Sequence, residues 1–418
     1  MSTQDKQATP VVSVAMLGAR MHFAVPSILA DAGLLHTLYT DTYLGNKAWL
    51  RSAIDRVPKR LTPKALAKLS GRAAARIPPD RVVSFDRLGL HYYWNRSRAL
   101  TAAELNRLFA EVNREFGLSV IRAGLNGSKC IWGFNGAALE IFAHARERGI
   151  TCILEQTMAP RKLELQLLHE ENGRWPDWQT QIPLEATDPI VERETAEWKL
   201  ADKIICGSEF VFQGLLEEGV AVERVAVVPY GVDLSVFKTV EPHRTRKLNL
   251  LFLGEVGLRK GVPYLLEALR LLDCPGRIHA RMVGNVSLKQ ERLKRYSKFC
   301  EFVNPVSRQQ VIEFYRWADV LVLPSLCEGS ATVIYEALAC GVPVITTANA
   351  GSLVRNGVEG FIVPIRDAEQ LASRIETLCD EVQLRLQMSA AAIHKRNEIS
   401  LAAYARRLLT ELSLPEES

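Results

Sequence analysis

Short apolar runs alternate with stretches of helical periodicity along the first half of the chain. The runs are apolar on both faces, which is typical of parallel strands that helices cover on both sides. The first half therefore predicts one doubly wound α/β domain. Its predicted strands are Val11–Leu17, Leu35–Tyr39, Cys130–Phe134, Cys152–Leu154, Lys203–Cys206 and Val225–Val228, and its predicted helices include Ala24–Ala32 and Leu139–Arg148.

The alternation restarts after a turn-rich linker. Pro229–Asp233 reads PYGVD, and the polar segment Lys238–Lys247 follows it. A second α/β domain is predicted beyond this linker, so that a cleft lies between the two domains. Its predicted strands are Leu248–Leu253, Ala280–Val283, Phe299–Val303, Val320–Leu323, Val342–Thr346 and Phe361–Val363; its predicted helices are Tyr264–Leu272, Arg308–Trp317, Thr332–Cys340, Ala368–Glu381 and one continuous helix over Leu386–Leu412.

The predicted domain boundaries follow from these two halves. Residues 1–237 form the first domain and residues 238–390 the second. Residues 391–418 are predicted to form a C-terminal helix that packs back on the first domain. Open α/β sheets bind ligands outside the carboxyl ends of their strands, so candidate chemistry is sought in the loops that follow the strands.

The most informative stretch, Asp319–Thr346, reads as strand, loop, helix, turn and strand. Ser330 is predicted to cap the N-terminus of the helix, and Gly341 stands where a glycine commonly ends one. Glu328 precedes the helix and Glu336 lies in its second turn. Backbone N–H groups at such a helix start favour an anion such as a diphosphate, and carboxylates accept hydrogen bonds from sugar hydroxyls. Either glutamate alone is more commonly a solvated residue, but together with the Gly-Ser helix start they indicate a nucleotide-sugar site.

This stretch resembles the E-x7-E region of retaining glycosyltransferases of the GT-B fold, in particular family 4. Three further segments resemble the same family. The resemblance covers roughly residues 195 to 364 and implies the GT-B architecture, which is two Rossmann-like doubly wound domains that face each other across a cleft. The three segments are KIICGS at Lys203–Ser208 with VVPYGVD at Val227–Asp233, the phosphate loop GEVGLRKG at Gly254–Gly261, and the closing strand region Gly351–Pro364.

The resemblance also implies roles for residues of the second domain. Glu336 would hold the ribose hydroxyls of the donor, and Glu328 would contact the transferred sugar. Backbone amides around Gly329, Ser330 and Ala331 would face the donor.

The phosphate loop departs from the family at one position. It begins at Gly254 and carries the expected Lys260, but Glu255 stands where the family usually has an arginine. Arg259 is the candidate that supplies the missing charge. Fixed cations there would stabilise the negative charge that grows on the diphosphate as the glycosidic bond breaks. The alternative interpretation of Arg259 and Lys260 is a solvated basic pair in a turn.

The first domain departs further from the family. Relatives often place a histidine after a middle strand, where this chain has Glu155 and Gln156. Glu155 could stabilise an oxocarbenium-like centre, position the acceptor, or be a structural residue at a strand end. Arg20, His22 and Gln156 are acceptor-side candidates by their location alone.

Positive charge is concentrated in one segment. The formal net charge of the 418 residues is +5, but Lys47–Arg81 alone carries ten Lys and Arg against Asp55 and Asp80. Apolar residues are interleaved with these charges, and a basic amphipathic segment can rest on an anionic membrane surface. The alternatives are a solvated helical insertion and an anionic acceptor site. No nucleic-acid recognition motif accompanies the charge.

The remaining composition favours a globular cytoplasmic protein. The chain is 48% hydrophobic, and its eight cysteines show no metal-binding spacing, which is typical of reduced, buried thiols. No secretory signal and no apolar run long enough to span a bilayer is found. The predicted location is the cytoplasm, with the inner membrane face as the site of peripheral attachment.

These observations predict a retaining glycosyltransferase of the hexosyltransferase type. It would use a nucleoside-diphosphate sugar as co-substrate and a glycan or lipid-linked acceptor in polysaccharide or glycolipid biosynthesis, with no cofactor and no metal. A catalytically weak GT-B scaffold subunit is the alternative that the missing histidine and Glu255 motivate. A GT-B epimerase or phosphorylase is less well supported, and a nicotinamide oxidoreductase is disfavoured because no GxGxxG follows either domain's first strand.

Overall fold

Two sheets, each composed entirely of parallel strands, organise the chain. The structure is a computed structural model that describes residues 11–47, 71–96, 98, 101–180, 188–245, 247–273 and 276–412. The first sheet has seven strands and the second has six. This architecture confirms the predicted fold class.

The first sheet is built from residues 12–227. Its order is β3-β2-β1-β4-β5-β6-β7, so the strand order reverses between β1 and β4. Ligands bind at such a reversal in open α/β sheets. The strands are β1 (Val12–Met16), β2 (Leu35–Thr40), β3 (Val82–Ser84), β4 (Cys130–Phe134), β5 (Thr151–Gln156), β6 (Lys203–Cys206) and β7 (Val225–Val227). The helices are α1 (Ala24–Asp31), α2 (Asp86–Arg96), α3 (Ala102–Ala123), α4 (Leu139–Arg146), α5 (Arg161–Arg174), α6 (Pro189–Leu200) and α7 (Glu209–Glu217).

The second sheet repeats the same winding. Its order is β10-β9-β8-β11-β12-β13, so the reversal lies between β8 and β11. The strands are β8 (Leu248–Leu253), β9 (Ile278–Val283), β10 (Cys300–Val303), β11 (Val320–Leu323), β12 (Val344–Thr346) and β13 (Gly360–Ile362). The helices are α8 (Val262–Leu272), α9 (Gln290–Leu293), α10 (Arg308–Trp317), α11 (Thr332–Cys340), α12 (Ala368–Asp380), α13 (Val382–His394) and α14 (Leu401–Glu411).

The prediction of one helix over Leu386–Leu412 is wrong. Helix α13 ends at His394, and α14 begins only at Leu401. Ser400 caps α14 by accepting a hydrogen bond from the Ala403 amide at 3.1 Å, as serine commonly does at this position. The backbone just before it is bonded to the linker, since Ile399 O accepts from Val232 N at 2.8 Å. These bonds to the linker replace helical ones.

Helix α14 contacts elements of the first half. Lys203 Nζ lies 2.6 Å from Glu411 Oε2, and Arg407 donates to Pro229 O at 2.8 Å. The rings of Tyr230 and Tyr404 meet edge to face with their centroids 5.8 Å apart. The domain boundaries themselves stay predictions, and residues 1–10 and 413–418 lie outside the described chain.

Helix α5 contacts the second half in turn. The Tyr264 hydroxyl donates to Glu171 Oε2 at 2.8 Å, and Arg366 Nε donates to Glu171 Oε1 at 2.5 Å. Trp175, just after α5, packs edge to face on Tyr264 with the centroids 5.5 Å apart. The two halves are therefore joined by buried polar and aromatic contacts as well as by the linker.

The basic segment is described only at its ends, because residues 48–70 lie outside the described chain. Its four described cations all contact groups of the protein. Lys47 pairs with Asp86 at 2.8 Å, Arg72 with Asp41 at 2.5 Å and Arg76 with Asp31 at 2.7 Å. Arg81 donates to Leu35 O. Within the described ranges, every helix is too short or too polar to cross a bilayer.

Candidate functional site

The candidate site lies at the reversal point of the second sheet, where the loops after β8 and β11 meet. Gly261 has φ +67°, and a Cβ there would lie 2.0 Å from Pro324 O. The amide of Leu326 donates to Arg259 O at 2.9 Å. Only glycine permits this conformation and this close approach, so Gly261 fixes the phosphate loop against the loop that carries Glu328.

Glu328 is the centre of a buried ion-pair cluster. Its side-chain Oε1 lies 2.6 Å from Lys260 Nζ and 2.9 Å from Arg259 Nη1, and the residue is only 6% exposed. Burial by itself would raise the pKa of Glu328, but the two cations outweigh it and hold that pKa below its usual value. Glu328 is therefore a carboxylate at neutral pH.

Lys260 lies over the first glycine of its loop. A Cβ at Gly254 would lie 3.5 Å from Lys260 Cε, so the loop leaves room for the lysine stem. Burial lowers the pKa of Lys260, and Glu328 opposes that effect. Lys260 and Arg259, the two cations predicted to bind the donor phosphates, thus both contact Glu328, which is predicted to contact the transferred sugar.

Arg259 is held by a residue from the other half of the chain. Its Nη1 donates to Cys327 O at 2.8 Å, and its Nε lies 3.7 Å from Glu164 Oε1 on α5. Burial alone would lower the pKa of Arg259, but Glu328 and Glu164 raise it. The sequence did not indicate Glu164, because its contact with Arg259 joins residues from different domains.

Glu164 belongs to a longer series of alternating charges. Arg161 Nη1 lies 2.7 Å from Glu164 Oε2, and Arg161 Nη2 lies 3.0 Å from Asp188 Oδ2. We call these residues the charge ladder. Its members, in spatial order, are Asp188, Arg161, Glu164, Arg259, Glu328 and Lys260. The ladder runs from the first half to the phosphate loop and carries no net charge.

Glu336 lies inside α11 and is bonded to a neighbouring helix. The Tyr315 hydroxyl donates to Glu336 Oε2 at 2.8 Å. Burial raises the pKa of Glu336, while Tyr315 and Arg308 oppose the rise. Its second carboxylate oxygen, Oε1, is the atom that could accept a hydrogen bond from a hydroxyl of a bound ribose.

The prediction that Ser330 caps α11 is wrong. The helix begins at Thr332, and its N-cap is Ala331, which offers no side-chain acceptor. Ser330 Oγ instead lies 2.9 Å from the Tyr335 hydroxyl, so packing with this buried tyrosine determines its orientation. Of the three amides predicted to face the donor, that of Ala331 already donates to Ala350 O at 3.0 Å.

Glu255 is exposed at the position where the resembled family has an arginine. It accepts a hydrogen bond from Ser287 Oγ, on the loop after β9. The charge that this loop contributes to the cluster therefore comes from Arg259 and Lys260.

Arg20 and His22 follow β1, at the reversal point of the first sheet. Arg20 donates to Thr157 Oγ1 at 2.7 Å and lies 5.5 Å from the Phe134 ring centroid. Burial lowers the pKa of Arg20 against the influence of Tyr230 and Glu155. Arg20 thus lies between the ends of β1 and β5.

The three residues after Arg20 have an unusual backbone. Met21, His22 and Phe23 have φ values of 44°, 54° and 61°, in the left-handed region that non-glycine residues rarely adopt. Such strain is concentrated at functional sites. Partial burial and Arg308 of the second half both lower the pKa of His22.

Glu155 and Gln156 point to opposite faces of the first sheet. Glu155 is 2% exposed and accepts from Trp132 Nε1 and from the Tyr230 hydroxyl, both at 3.1 Å. Burial raises its pKa to about 7. Gln156 is fully buried, donates to Glu194 and accepts from Trp198. The structure therefore does not bring Gln156 to the cleft, and it places Glu155 beneath the surface of the cleft.

Thr157 marks the point where the two halves meet. A Cβ on Gly329 would lie 1.8 Å from Thr157 O, and Ser208 Oγ donates to Gly329 O at 2.5 Å. Thr157 also accepts from Arg20 and donates to Asn135 Oδ1. Sequence reasoning missed Thr157, although its place directly after β5 was a usable signal.

Comparisons with known proteins agree with this geometry. Residues 247–381 match the family model described as "Glycosyl transferases group 1". The D-inositol 3-phosphate glycosyltransferase of Pseudarthrobacter chlorophenolicus is 29% identical over 231 residues, which is 49% of this chain and 55% of that protein. The enzyme of the same name from Geodermatophilus obscurus is 32% identical over 204 residues, with 43% and 45% covered. The chain thus spans about half the length of the curated relatives it matches.

Solved structures match nearly the whole chain. Sucrose-phosphate synthase from Thermosynechococcus elongatus aligns with a TM-score of 0.67 at 17% identity, covering 97% of this chain and 98% of that one. TarM aligns with a TM-score of 0.66 at 10% identity, covering 97% and 99%. Anabaena HepE in complex with UDP and glucose aligns with a TM-score of 0.58 at 15% identity, covering 97% and 100%. Residues 247–381 therefore match a group 1 glycosyl transferase domain, in a chain that has the GT-B fold.

Proposed function

We propose that this protein transfers a sugar from a nucleoside-diphosphate donor to a hydroxyl acceptor, with retention of configuration at the sugar. The observation that carries the proposal is the convergence of Lys260 and Arg259 on Glu328 at the reversal point of the second sheet. Relatives that are named glycosyltransferases support the same reaction class.

The donor would bind along the second half. Its diphosphate would lie against Lys260 and Arg259 and take over part of their interaction with Glu328. Glu328 would then accept hydrogen bonds from hydroxyls of the transferred sugar, and Glu336 would accept them from the ribose. Because the charge ladder as a whole carries no net charge, Lys260 and Arg259 would attract the diphosphate most strongly once Glu328 has turned from them to the sugar.

The same residues account for bond breaking. As the bond between the anomeric carbon and the diphosphate breaks, its electron pair stays on the phosphate oxygen. Lys260 and Arg259 are held before the reaction begins, so they stabilise that charge without reorganising. The acceptor hydroxyl attacks the anomeric carbon on the face that the diphosphate leaves, and its proton passes to the departing phosphate. No metal or resident cofactor takes part in this proposal.

The acceptor would bind on the side of the first half. Arg20 and the strained loop at His22 would line the acceptor side of the cleft. Glu155 would support this side by accepting hydrogen bonds from Trp132 and Tyr230. We propose a glycan or lipid-linked acceptor in polysaccharide or glycolipid assembly, at the inner membrane face. A small inositol phosphate is the second candidate, because the matched relatives carry that acceptor in their names.

Binding and turnover assays test the proposal. We expect one of UDP, GDP or ADP to raise the melting temperature, because a ligand that binds only the folded state stabilises it by mass action. Nucleotide release from the matching sugar donor should be measured for the wild type and for Lys260→Ala and Glu328→Ala. Nucleotide binding without turnover in the wild type, across common donors, would instead support a scaffold subunit.

A further inference from the structure

Helix α2 exposes a stripe of large apolar side chains. Leu90 is 69% exposed, Tyr93 58% and Trp94 60%. Positions spaced by three and four residues share one face of a helix, so the three side chains form a single stripe. We call Leu90, Tyr93 and Trp94 the outer face of α2.

The opposite face already holds α2 against the protein. Leu88 is buried and Tyr92 packs against the core of the first half. A Cβ on Gly89 would lie 2.3 Å from Thr42 Oγ1, so the helix backbone lies directly on the loop after β2. The outer face is therefore a second apolar face, opposite the one that packs against the core of the first half.

The charged residues that flank the outer face along its own segment are arginines. Arg87, Arg96 and Arg98 are exposed, and the Arg98 guanidinium lies 4.8 Å from the Trp94 ring centroid. The only acidic residue between positions 86 and 98 is Asp86, which pairs with Lys47. In the sequence alone, Lys47–Arg98 carries thirteen Lys and Arg against three Asp; of the described cations, Lys47, Arg72 and Arg76 are paired with acidic residues.

This combination favours a membrane surface over a protein partner. Trp and Tyr rings are stable at the level of lipid headgroups, and arginines bind anionic headgroups while their stems cover apolar surface. An extended excess of one charge suits a surface that is uniformly anionic, whereas the charges of a protein interface are paired locally.

The location of α2 relates the outer face to the cleft. The helix begins two residues after β3 ends, and β3 is the edge strand of the first sheet. The carboxyl ends of parallel strands lie at one side of a sheet, which here is the side of the cleft. A bilayer that contacts α2 would thus lie beside the acceptor half of the cleft.

We propose that the outer face of α2 inserts into an anionic lipid surface and presents the acceptor side of the cleft to it. The acceptor is then a membrane-borne molecule, and this part of the inference rests on the proposed function. Arg87, Arg96 and Arg98 bind lipid headgroups, while Leu90, Tyr93 and Trp94 enter the boundary between headgroups and acyl chains.

Vesicle co-sedimentation of the full chain tests the docking. The probes are vesicles of phosphatidylcholine alone and vesicles that also contain phosphatidylglycerol. We expect binding to the mixed vesicles that falls at least tenfold in a Leu90→Ser, Tyr93→Ser, Trp94→Ser variant. The matched control is Val222→Ser with Leu271→Ser, since these residues are 57% and 48% exposed elsewhere on the surface. The control should bind like the wild type.

Quenching by brominated lipids tests whether Trp94 enters the bilayer. We expect bromines on the acyl chains to quench tryptophan emission of the wild type, and the conservative Trp94→Phe variant to lose most of this quenching. Unchanged quenching in Trp94→Phe, or equal sedimentation of the wild type and the triple variant, would overturn the proposal. So would self-association of the wild type that the triple variant loses, because the outer face would then bind a second copy.

A failure of membrane docking can be distinguished from a failure of the proposed function. Nucleotide-induced thermal shifts and nucleotide release are measured in solution on the same variants. If the wild-type protein turns over a donor but does not bind vesicles, only the docking proposal is overturned. Vesicle binding that depends on the outer face, with no turnover of any donor, supports the docking and overturns the proposed function.

Discussion

Lys260 Nζ lies 2.6 Å from Glu328 Oε1, and both side chains are largely buried. Arg259 reaches the same oxygen, so one carboxylate holds the two cations that a diphosphate would need. Because a buried charge left without its partner is costly, neither side of this cluster can be removed without a strong effect on the other. The predictions that follow separate the roles of the individual members.

Removal of the Lys260 charge should impair turnover more than nucleotide binding. We expect Lys260→Met to lower kcat about 100- to 1,000-fold, because a preorganised charge at the leaving group contributes mainly in the transition state. Initial rates of nucleotide release measure it. Lys199→Met, an exposed lysine on α6, is the control and should match the wild type. A loss below threefold in Lys260→Met would contradict the assigned role.

Glu336 should govern nucleotide affinity. We expect Glu336→Gln to weaken binding of the nucleoside diphosphate about tenfold, since a hydrogen bond to a charged group contributes about 1.5–3 kcal/mol. Tyr315→Phe removes the 2.8 Å bond that orients Glu336, together with the 3.1 Å bond to Val333 O, and should have a smaller effect in the same direction. Titration calorimetry gives both dissociation constants. Equal affinities of Glu336→Gln and the wild type would show that Glu336 does not contact the ribose.

Glu164 should act as a positioning residue for Arg259. We expect Glu164→Gln to lower kcat about tenfold with little change in KM, because Arg259 keeps its charge but loses a partner that fixes it. Arg259→Lys should also lose activity, since lysine cannot reach Glu328, Cys327 O and Glu164 together. Glu192→Gln, an exposed glutamate on α6, is the control. A rise in KM alone in Glu164→Gln would contradict a positioning role.

The winding of both sheets was predictable because parallel strands buried on both faces are continuous apolar runs. Cys130–Phe134, Lys203–Cys206, Leu248–Leu253 and Val320–Leu323 were predicted at their observed bounds for this reason. Helices such as α2 and α5 were missed. Helix α2 has apolar residues on two opposite faces, and α5 is mostly polar, so neither shows one apolar stripe.

The site was predictable only where its signal is local. Glu328, Glu336 and Lys260 lie in loops and helix starts whose spacing in the chain is informative. Glu164 enters the site through a contact with the distant Arg259, which no local pattern encodes. Thr157 had a local signal, its place directly after β5, but its contact with Gly329 joins distant residues. The error at Ser330 has a related origin, because the buried Tyr335 attracts its hydroxyl away from the helix start.

Glu155 should make stability depend on pH. Burial raises its pKa to about 7, above the value of about 4.3 expected in the unfolded chain. The folded protein therefore holds a proton that the unfolded chain has lost, and the free energy of unfolding falls as pH rises between these two values. We expect Glu155→Gln to abolish this part of the slope, so that from pH 5 to pH 8 the variant gains about 3 kcal/mol relative to the wild type.

Urea titrations at several pH values measure this slope. Glu197, whose pKa burial also raises to about 7, is present in both proteins and contributes equally to both. Glu376→Gln, an exposed glutamate on α12, is the control and should follow the wild type. Parallel pH profiles for Glu155→Gln and the wild type would show that Glu155 is ionised in the folded protein throughout this range.

Gly329 should control the approach of the two halves. A Cβ there would lie 1.8 Å from Thr157 O, a backbone atom of the first half, so the segments that carry Gly329 and Thr157 must move apart to relieve the clash. We expect Gly329→Ala to lower nucleotide release at least 100-fold, because a displacement of about 1 Å at a reacting centre is enough for such a loss. Nucleotide binding should change less, since Lys260 and Glu336 both lie in the second half.

Gly173→Ala on α5 is the matched control: its Cβ meets no atom within 4 Å, and helix propensity favours alanine there. Wild-type turnover in Gly329→Ala would show that the reaction does not need the contact between Gly329 and Thr157.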